Sequence, residues 1–359
     1  FDEKLIEATI NNLKRKKMNE LEDNSSRARM YVNAFIAGVD WKDACRDIEL
    51  YSEVTKEDIV AWANEYLKED NYAIIYKLQG EDKTVQKISA PKITPIATNR
   101  DSQSAFLREI QASEVKPIEP QFIDFRKEMS RFELADGVNV LYKENILNEI
   151  AALQIVFNVG VAKNPALKMA ADYISYLGTE DMTAEEIAVR MYELACSYRV
   201  SVSRDETSVV VSGLSENLPE ALRIVEDLLL NAVANEDILS ADKADMIKSR
   251  ADIKLNQRSC YRALNEYGTY GADFVRSSNL TNAQLLALTS DELLAAVSGL
   301  FNTQHEILYY GPESEDSVKK LLAENHRIAD NLEPAEKLRP AKLATTENKV
   351  TLAHYDAKQ

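Results

Sequence analysis

Histidine and cysteine are both scarce in this sequence: 359 residues hold three of each. Cys45, Cys196 and Cys260 stand far apart with no C-x-x-C pair, which excludes a disulfide framework and a thiolate metal site. His305, His326 and His354 include no pair spaced by three or four residues, so no single helix face offers two imidazoles to one ion. They read as ordinary surface or strand-edge histidines. Glycine and proline are also sparse, at ten and nine, which favours long helices over a turn-rich sandwich or barrel. The longest apolar stretch, Ile150 to Ala162, is interrupted by Gln154 and Asn158. It is far too short to cross a bilayer, so no membrane insertion is expected. Positive charge is in deficit: 43 Lys and Arg face 59 Asp and Glu, a net charge of -16 that repels nucleic acid and anionic lipid. The one basic cluster, Lys14-Arg15-Lys16-Lys17, points all round a helix and reads as a solvated face. No Walker loop, G-x-S-x-G or G-x-G-x-x-G occurs, which leaves nucleotide and serine-hydrolase chemistry without support. The first residue is Phe1 and no charged-then-apolar leader follows it. The chain is therefore read as a piece of a longer polypeptide, with any targeting signal upstream and the compartment open.

What is present is the composition of an ordinary globular protein, 45% hydrophobic and 28% charged, with length enough for two or three domains. Leu5, Ile6, Thr9, Leu13, Met18 and Leu21 mark an amphipathic helix. Gly38 is placed to end the helix before it and Asp40 to cap the next. Thr55-Lys-Glu-Asp58 opens a further helix to Leu67, and Tyr72 to Lys77 reads as a short, buried-type strand. From Gly80 to Lys127 the texture changes: Pro91, Pro95, Pro117 and Pro120 stand among polar residues, with Phe106, Phe122 and Phe125 as possible anchors. That stretch reads as an extended linker.

A new domain then opens with a hairpin turning at Asp136-Gly137. A strand from Ala151 to Val159 and a helix from Pro165 to Leu177 follow, and Thr183-Ala-Glu-Glu186 is a capping box for a helix ending near Ala195. Strands are expected over Tyr198–Ser203 and Thr207–Ser212, and helices over Pro219–Asn231 and Ser240 to about Tyr270. Strands joined mostly by hairpins, interleaved with helices, predict an α+β fold with helices on one face of a mainly antiparallel sheet. An internal repeat strengthens this reading. The segment Val54 to Leu67 and its following strand lie without a gap on Leu288 to Phe301 and its own, 234 residues later. Thr55 meets Thr289, Ile59 meets Leu293 and Tyr76 meets Tyr310, so helix cap, helix length and strand position all recur.

Five phrases, in order, carry a family resemblance: Asp136-Gly-Val-Asn-Val-Leu-Tyr142, Val156-Phe-Asn-Val-Gly160, Tyr176-Leu-Gly-Thr179, Val211-Ser-Gly-Leu214 and Tyr309-Tyr-Gly-Pro312. Together they resemble the pitrilysin/insulinase metallopeptidases, the inverted zincins. The resemblance implies repeated α+β domains in two halves, joined by a linker and closing as a clamshell on a peptide. It assigns 1–78 to the C-terminal part of a second-domain-like unit and 79–128 to the Pro-containing inter-half linker. It assigns 129–278 to a third-domain-like unit with a degenerate zinc motif, and 279–359 to the start of a fourth-domain-like unit.

In the family's catalytic half, H-x-x-E-H supplies two zinc ligands and a general base from one helix. Counting back from Gly178, those positions fall here on Met169, Asp172 and Tyr173. The later helix that supplies a third, Glu ligand reads Met246-Ile-Lys-Ser-Arg-Ala-Asp252 here. The parent's zinc is therefore not expected to bind this stretch, no catalytic or metal residue is assigned, and Met169, Asp172 and Tyr173 read as structural. By the same resemblance Tyr198–Ser203 corresponds to a substrate-aligning edge strand, although Ala195-Cys196 replaces the family's paired glycines. Substrate-binding residues stay unassigned. The function implied is that of a non-catalytic portion of a zinc-dependent peptidase, walling the chamber opposite the zinc site. Its partners would be a peptide substrate and the catalytic half of the same polypeptide. The alternatives are a zinc-free scaffold or core subunit of the same fold, and a peptide-binding interaction module, which does not predict the repeat.

Overall fold

The computed structural model describes residues 3–80, 88–96, 98, 100, 102–338, 340–353 and 355, and these form two compact units. One holds the described residues up to Lys56 and from Phe125 onward; the other holds those from Glu57 to Asp124.

The smaller unit carries nearly all of helix α5 (Lys56–Tyr66), on which the rings of Trp62 and Tyr66 lie 5.2 Å apart. It also carries α6 (Ala105–Ala112), whose first turn is capped by the Ser104 hydroxyl accepting from the Leu107 N–H at 3.1 Å. The strand expected over Tyr72–Lys77 does not form: these residues are unpaired in any described ladder and exposed, with Ile75 91% accessible. An apolar run becomes a strand only where a sheet edge supplies hydrogen-bond partners. Phe106 and Phe122 are likewise exposed.

The larger unit begins with four helices, α1 (Lys4–Glu22), α2 (Asn24–Ala37), α3 (Trp41–Cys45) and α4 (Asp47–Ser52). Gly38 ends α2 in the left-handed conformation, and the Asp40 carboxylate caps α3 by accepting from the Lys42 N–H. After the short α7 (Phe125–Glu128) come strands β1 (Ser130–Ala135), β2 (Val138–Glu144) and β3 (Ile150–Phe157). Gly137 holds the β1–β2 turn at φ 81°, where a β-carbon would be strained. Next are α8 (Leu167–Ile174), α9 (Ala184–Glu193), β4 (Cys196–Val202), β5 (Thr207–Leu214) and α10 (Leu218–Asn231). The single helix expected from Ser240 to Tyr270 is two, α11 (Glu236–Ile253) and α12 (Gln257–Tyr270). The chain breaks at Lys254–Asn256 because the Asn256 side chain accepts from the Ser259 N–H and starts the helix afresh. Then follow α13 (Ala272–Ser277), α14 (Asn282–Ala287), α15 (Ser290–Ser298), β6 (His305–Gly311) and α16 (Glu315–Asn325).

The six strands form one sheet in the order β1-β2-β6-β3-β5-β4. Every neighbouring pair is antiparallel except β2 with β6. Alternate residues of the central strands, among them Leu153, Ile155, Ile307 and Tyr309, are buried in one core with Leu222, Val225, Leu293, Phe301 and Leu322 from helices and turns. The fold is α+β, with one mixed sheet.

β6 corrects the domain boundary expected at 278/279. It is inserted at the middle of the sheet, matching Val138 to His305 on one side and Phe157 to His305 on the other. Residues from α14 to α16 therefore complete this domain, instead of opening a separate one. A central strand has both edges satisfied by hydrogen-bonded neighbours, so it cannot leave for another domain without opening the sheet.

Candidate functional site

α8 carries the three positions that align with the family's metal motif. The helix turns Met169 and Tyr173 inward, both buried, and leaves Asp172 exposed at the flank of the same face. The Tyr173 hydroxyl accepts from the Asn235 N–H at 2.8 Å and lies 3.1 Å from both the Asn235 carbonyl and the Ser290 hydroxyl. Ser290 in turn donates to Glu236 at 2.6 Å. Asn235 is the residue that caps α11, and Ser290 opens α15. One phenol thus clamps the starts of two helices onto a third. A thioether, a single carboxylate and a phenol already engaged in hydrogen bonds are not the donor set of a zinc site. Among the described residues no three His, Cys, Asp or Glu side chains converge in a metal-binding arrangement.

Asp172 borders a cleft of about 550 Å³ between α8, α11 and the segment 278–285. Met246, Ser249 and Arg250 of the second aligned segment line the same cleft, so the fold brings both aligned segments together. Arg250 is committed elsewhere, donating to the Leu280 carbonyl and to Asn282, each at 2.9 Å. Burial pushes the Asp242 carboxyl up, and the neighbouring Asp172 and Asp245 carboxylates push it further.

β4, expected as an edge strand, is the last strand of the sheet and pairs only with β5 among the described strands. Arg15 of α1 reaches its Ser197 hydroxyl at 3.2 Å. Ala195, standing where the family has the first of two glycines, adopts φ 48°, the left-handed conformation that glycine takes without cost. Cys196 is buried at the start of the strand, and burial pushes its thiol up to about 11, which leaves it unreactive as a nucleophile.

The histidines depart furthest from expectation. His354 lies outside the described residues. His305 and His326 are neither surface nor edge residues: both are buried, and their Nε2 atoms are 2.9 Å apart. Glu226, also buried, lies 2.5 Å from His326 Nδ1 and accepts the Arg327 N–H at 2.8 Å. The sequence did hold a signal. Glu226 falls on the apolar face of α10, four residues after Leu222 and three before Leu229, where an acid needs a buried partner. His305 shares the period-two parity of Ile307 and Tyr309, the inward residues of β6.

No family model matches the chain. A curated relative, the mitochondrial ubiquinol-cytochrome-c reductase complex core protein I of Euglena gracilis, is 24% identical over 92 residues, covering 26% of this chain and 19% of that protein. The inactive domain of a peptidase M16 from Pseudomonas fluorescens matches with a TM-score of 0.52 and 15% identity, over 59% of this chain and 54% of its own. The periplasmic protease PqqL of Escherichia coli matches with a TM-score of 0.51 and 16% identity, over 82% of this chain and 31% of its own. The chain spans about half or less of the length of each of these proteins. The fold is that of M16-like peptidase domains.

Proposed function

We propose that this chain is a non-catalytic stretch of an M16-type peptidase, forming part of the wall of a chamber whose zinc is held by another half of the same polypeptide. The observation that carries this reading is Tyr173. At the place where the family's helix presents a metal ligand, this helix presents a buried phenol that fastens α11 and α15. In the parent, zinc would activate the water that attacks a peptide bond. This stretch would exclude bulk solvent and limit what enters, with an extended peptide as substrate. Under this reading no zinc binds here, and the linker-like segment 79–128 joins the two halves.

A second reading is a zinc-free scaffold of the same fold. The likeness to a respiratory-complex core protein favours it. Zinc content and chelator-sensitive cleavage of a quenched peptide, measured on this chain and on its upstream-extended parent, separate the two. A metal-free, inert chain beside an active zinc parent is the expected outcome. An inert parent would establish the scaffold, and stoichiometric zinc with cleavage in this chain alone would overturn both.

A further inference from the structure

Glu226, His326 and His305 come from three separate elements: α10, the residue that ends α16, and the first position of β6. Their hydrogens can be assigned by elimination. The Thr303 carbonyl, 2.7 Å from His305 Nδ1, can only accept, so Nδ1 carries the hydrogen. Nε2 of the neutral His305 ring is then a bare lone pair, and the His326 Nε2 facing it must donate. The other nitrogen of His326 shares one proton with Glu226, whose second oxygen is taken by the Arg327 N–H. Every site in the chain is then filled, the His305 Nε2 lone pair by the His326 N–H, and that lone pair is what holds His326.

We propose that the buried Glu226–His326–His305 chain is an acid-release latch for the segment that follows α16. A proton added at His305 Nε2 sets N–H against N–H across 2.9 Å and breaks the link between β6 and His326. The segment it frees is tied down again at the same turn. The Glu333 N–H donates to the Asn302 carbonyl at 2.8 Å, and the Gln304 N–H donates to the Glu333 carbonyl at 2.9 Å. Further along, Lys163 donates to the Glu336 carbonyl at 2.7 Å, and Lys337 pairs with Glu206 at 2.6 Å. Both central ties thus rest on residues 302–305. Displacing His305 disturbs them together.

The groups facing His305 support proton-driven release. Glu226 faces the pair from α10, and His326 with the Arg327 N–H from the segment after α16. β3 and the turn before β6 offer only the uncharged rings of Phe157, 5.0 Å from His305, and Phe301, 6.2 Å from His326. Glu306 turns to the other face of the sheet, toward Arg131. Burial holds His305 down to about 4, with the Thr303 carbonyl opposing the shift and His326 adding to it. An opened chain restores an ordinary histidine that titrates near ~6.5. Between that value and about 4 the open state binds more protons than the closed one, so closure is complete above the window and weakens as pH falls through it. The opening constant rises on the order of a hundredfold from pH 7 to pH 4.

Hydrogen exchange of the full chain, corrected for intrinsic rates, tests the latch. Amides of 326–337 are expected to lose protection between pH 7 and pH 4.5 ahead of those in β3. In His305→Gln, whose amide oxygen can accept from His326 but does not titrate, that protection should no longer depend on pH in this window. PH-independent protection in the unmodified chain, or the same midpoint in His305→Gln, would overturn the proposal. Should that variant not fold, ring 15N shifts of His305 in the unmodified chain decide. A neutral ring with hydrogen on Nδ1 down to about pH 4 supports the latch. The opposite tautomer, or a midpoint near that of free histidine, sinks it.

Discussion

Tyr173 illustrates how a position can keep its place in a fold while its chemistry is replaced. Its hydroxyl is fully employed between Asn235 and Ser290 at the junction of α8, α11 and α15. Removing it in Tyr173→Phe takes the acceptor from the Asn235 N–H, a loss of about 0.5–1.5 kcal/mol. Urea unfolding should show a lower midpoint with an unchanged slope. An unchanged midpoint would mean the clamp is incidental and would remove the main support for a structural reading of α8. Asp172, exposed one residue earlier, has no such role, and its replacement by Asn should leave stability within about 0.5 kcal/mol.

At the scale of the element, local chemistry decides most helix starts in the larger unit. Thr183 accepts from the Glu186 N–H while the Glu186 carboxylate accepts from the Thr183 N–H, the reciprocal capping box that opens α9. These hydrogen bonds hold the Glu186 carboxyl below the usual carboxylate range. Thr183→Ala is expected to cost about 1 kcal/mol, read as a lower thermal midpoint. Thr281 with Gln284 and Thr289 with Glu292 repeat the device. The same chemistry divides α11 from α12, because Asn256 offers the backbone an alternative to continuing. Strands behave differently. Tyr72–Tyr76 and Glu306–Tyr310 align in the internal repeat, yet only the second lies in a strand. Its apolar pattern is completed by two neighbours, β2 and β3, whereas the first has none among the described strands.

Across the larger unit, the placement of β6 makes the domain indivisible. Ile307 is fully buried between β2 and β3, so Ile307→Ala should cost about 2–5 kcal/mol. The loss should appear equally in amide exchange of β3 and of α16. A loss confined to 282–326 would restore the boundary at 278. The sequence by itself determined the helices, their caps, the Asp136-Gly137 hairpin and the α+β class, because each depends on residues within a few positions of one another. It also carried the alignment of Met169, Asp172 and Tyr173, since a helix fixes which residues share a face. Only the tertiary structure decided that residues 282–326 close the sheet of the same domain, and that Glu226, His326 and His305 form one buried chain. Those partners lie 100 and 21 positions apart. No local pattern specifies a pairing over such separations; it is fixed by which buried polar groups the packed core leaves to satisfy one another.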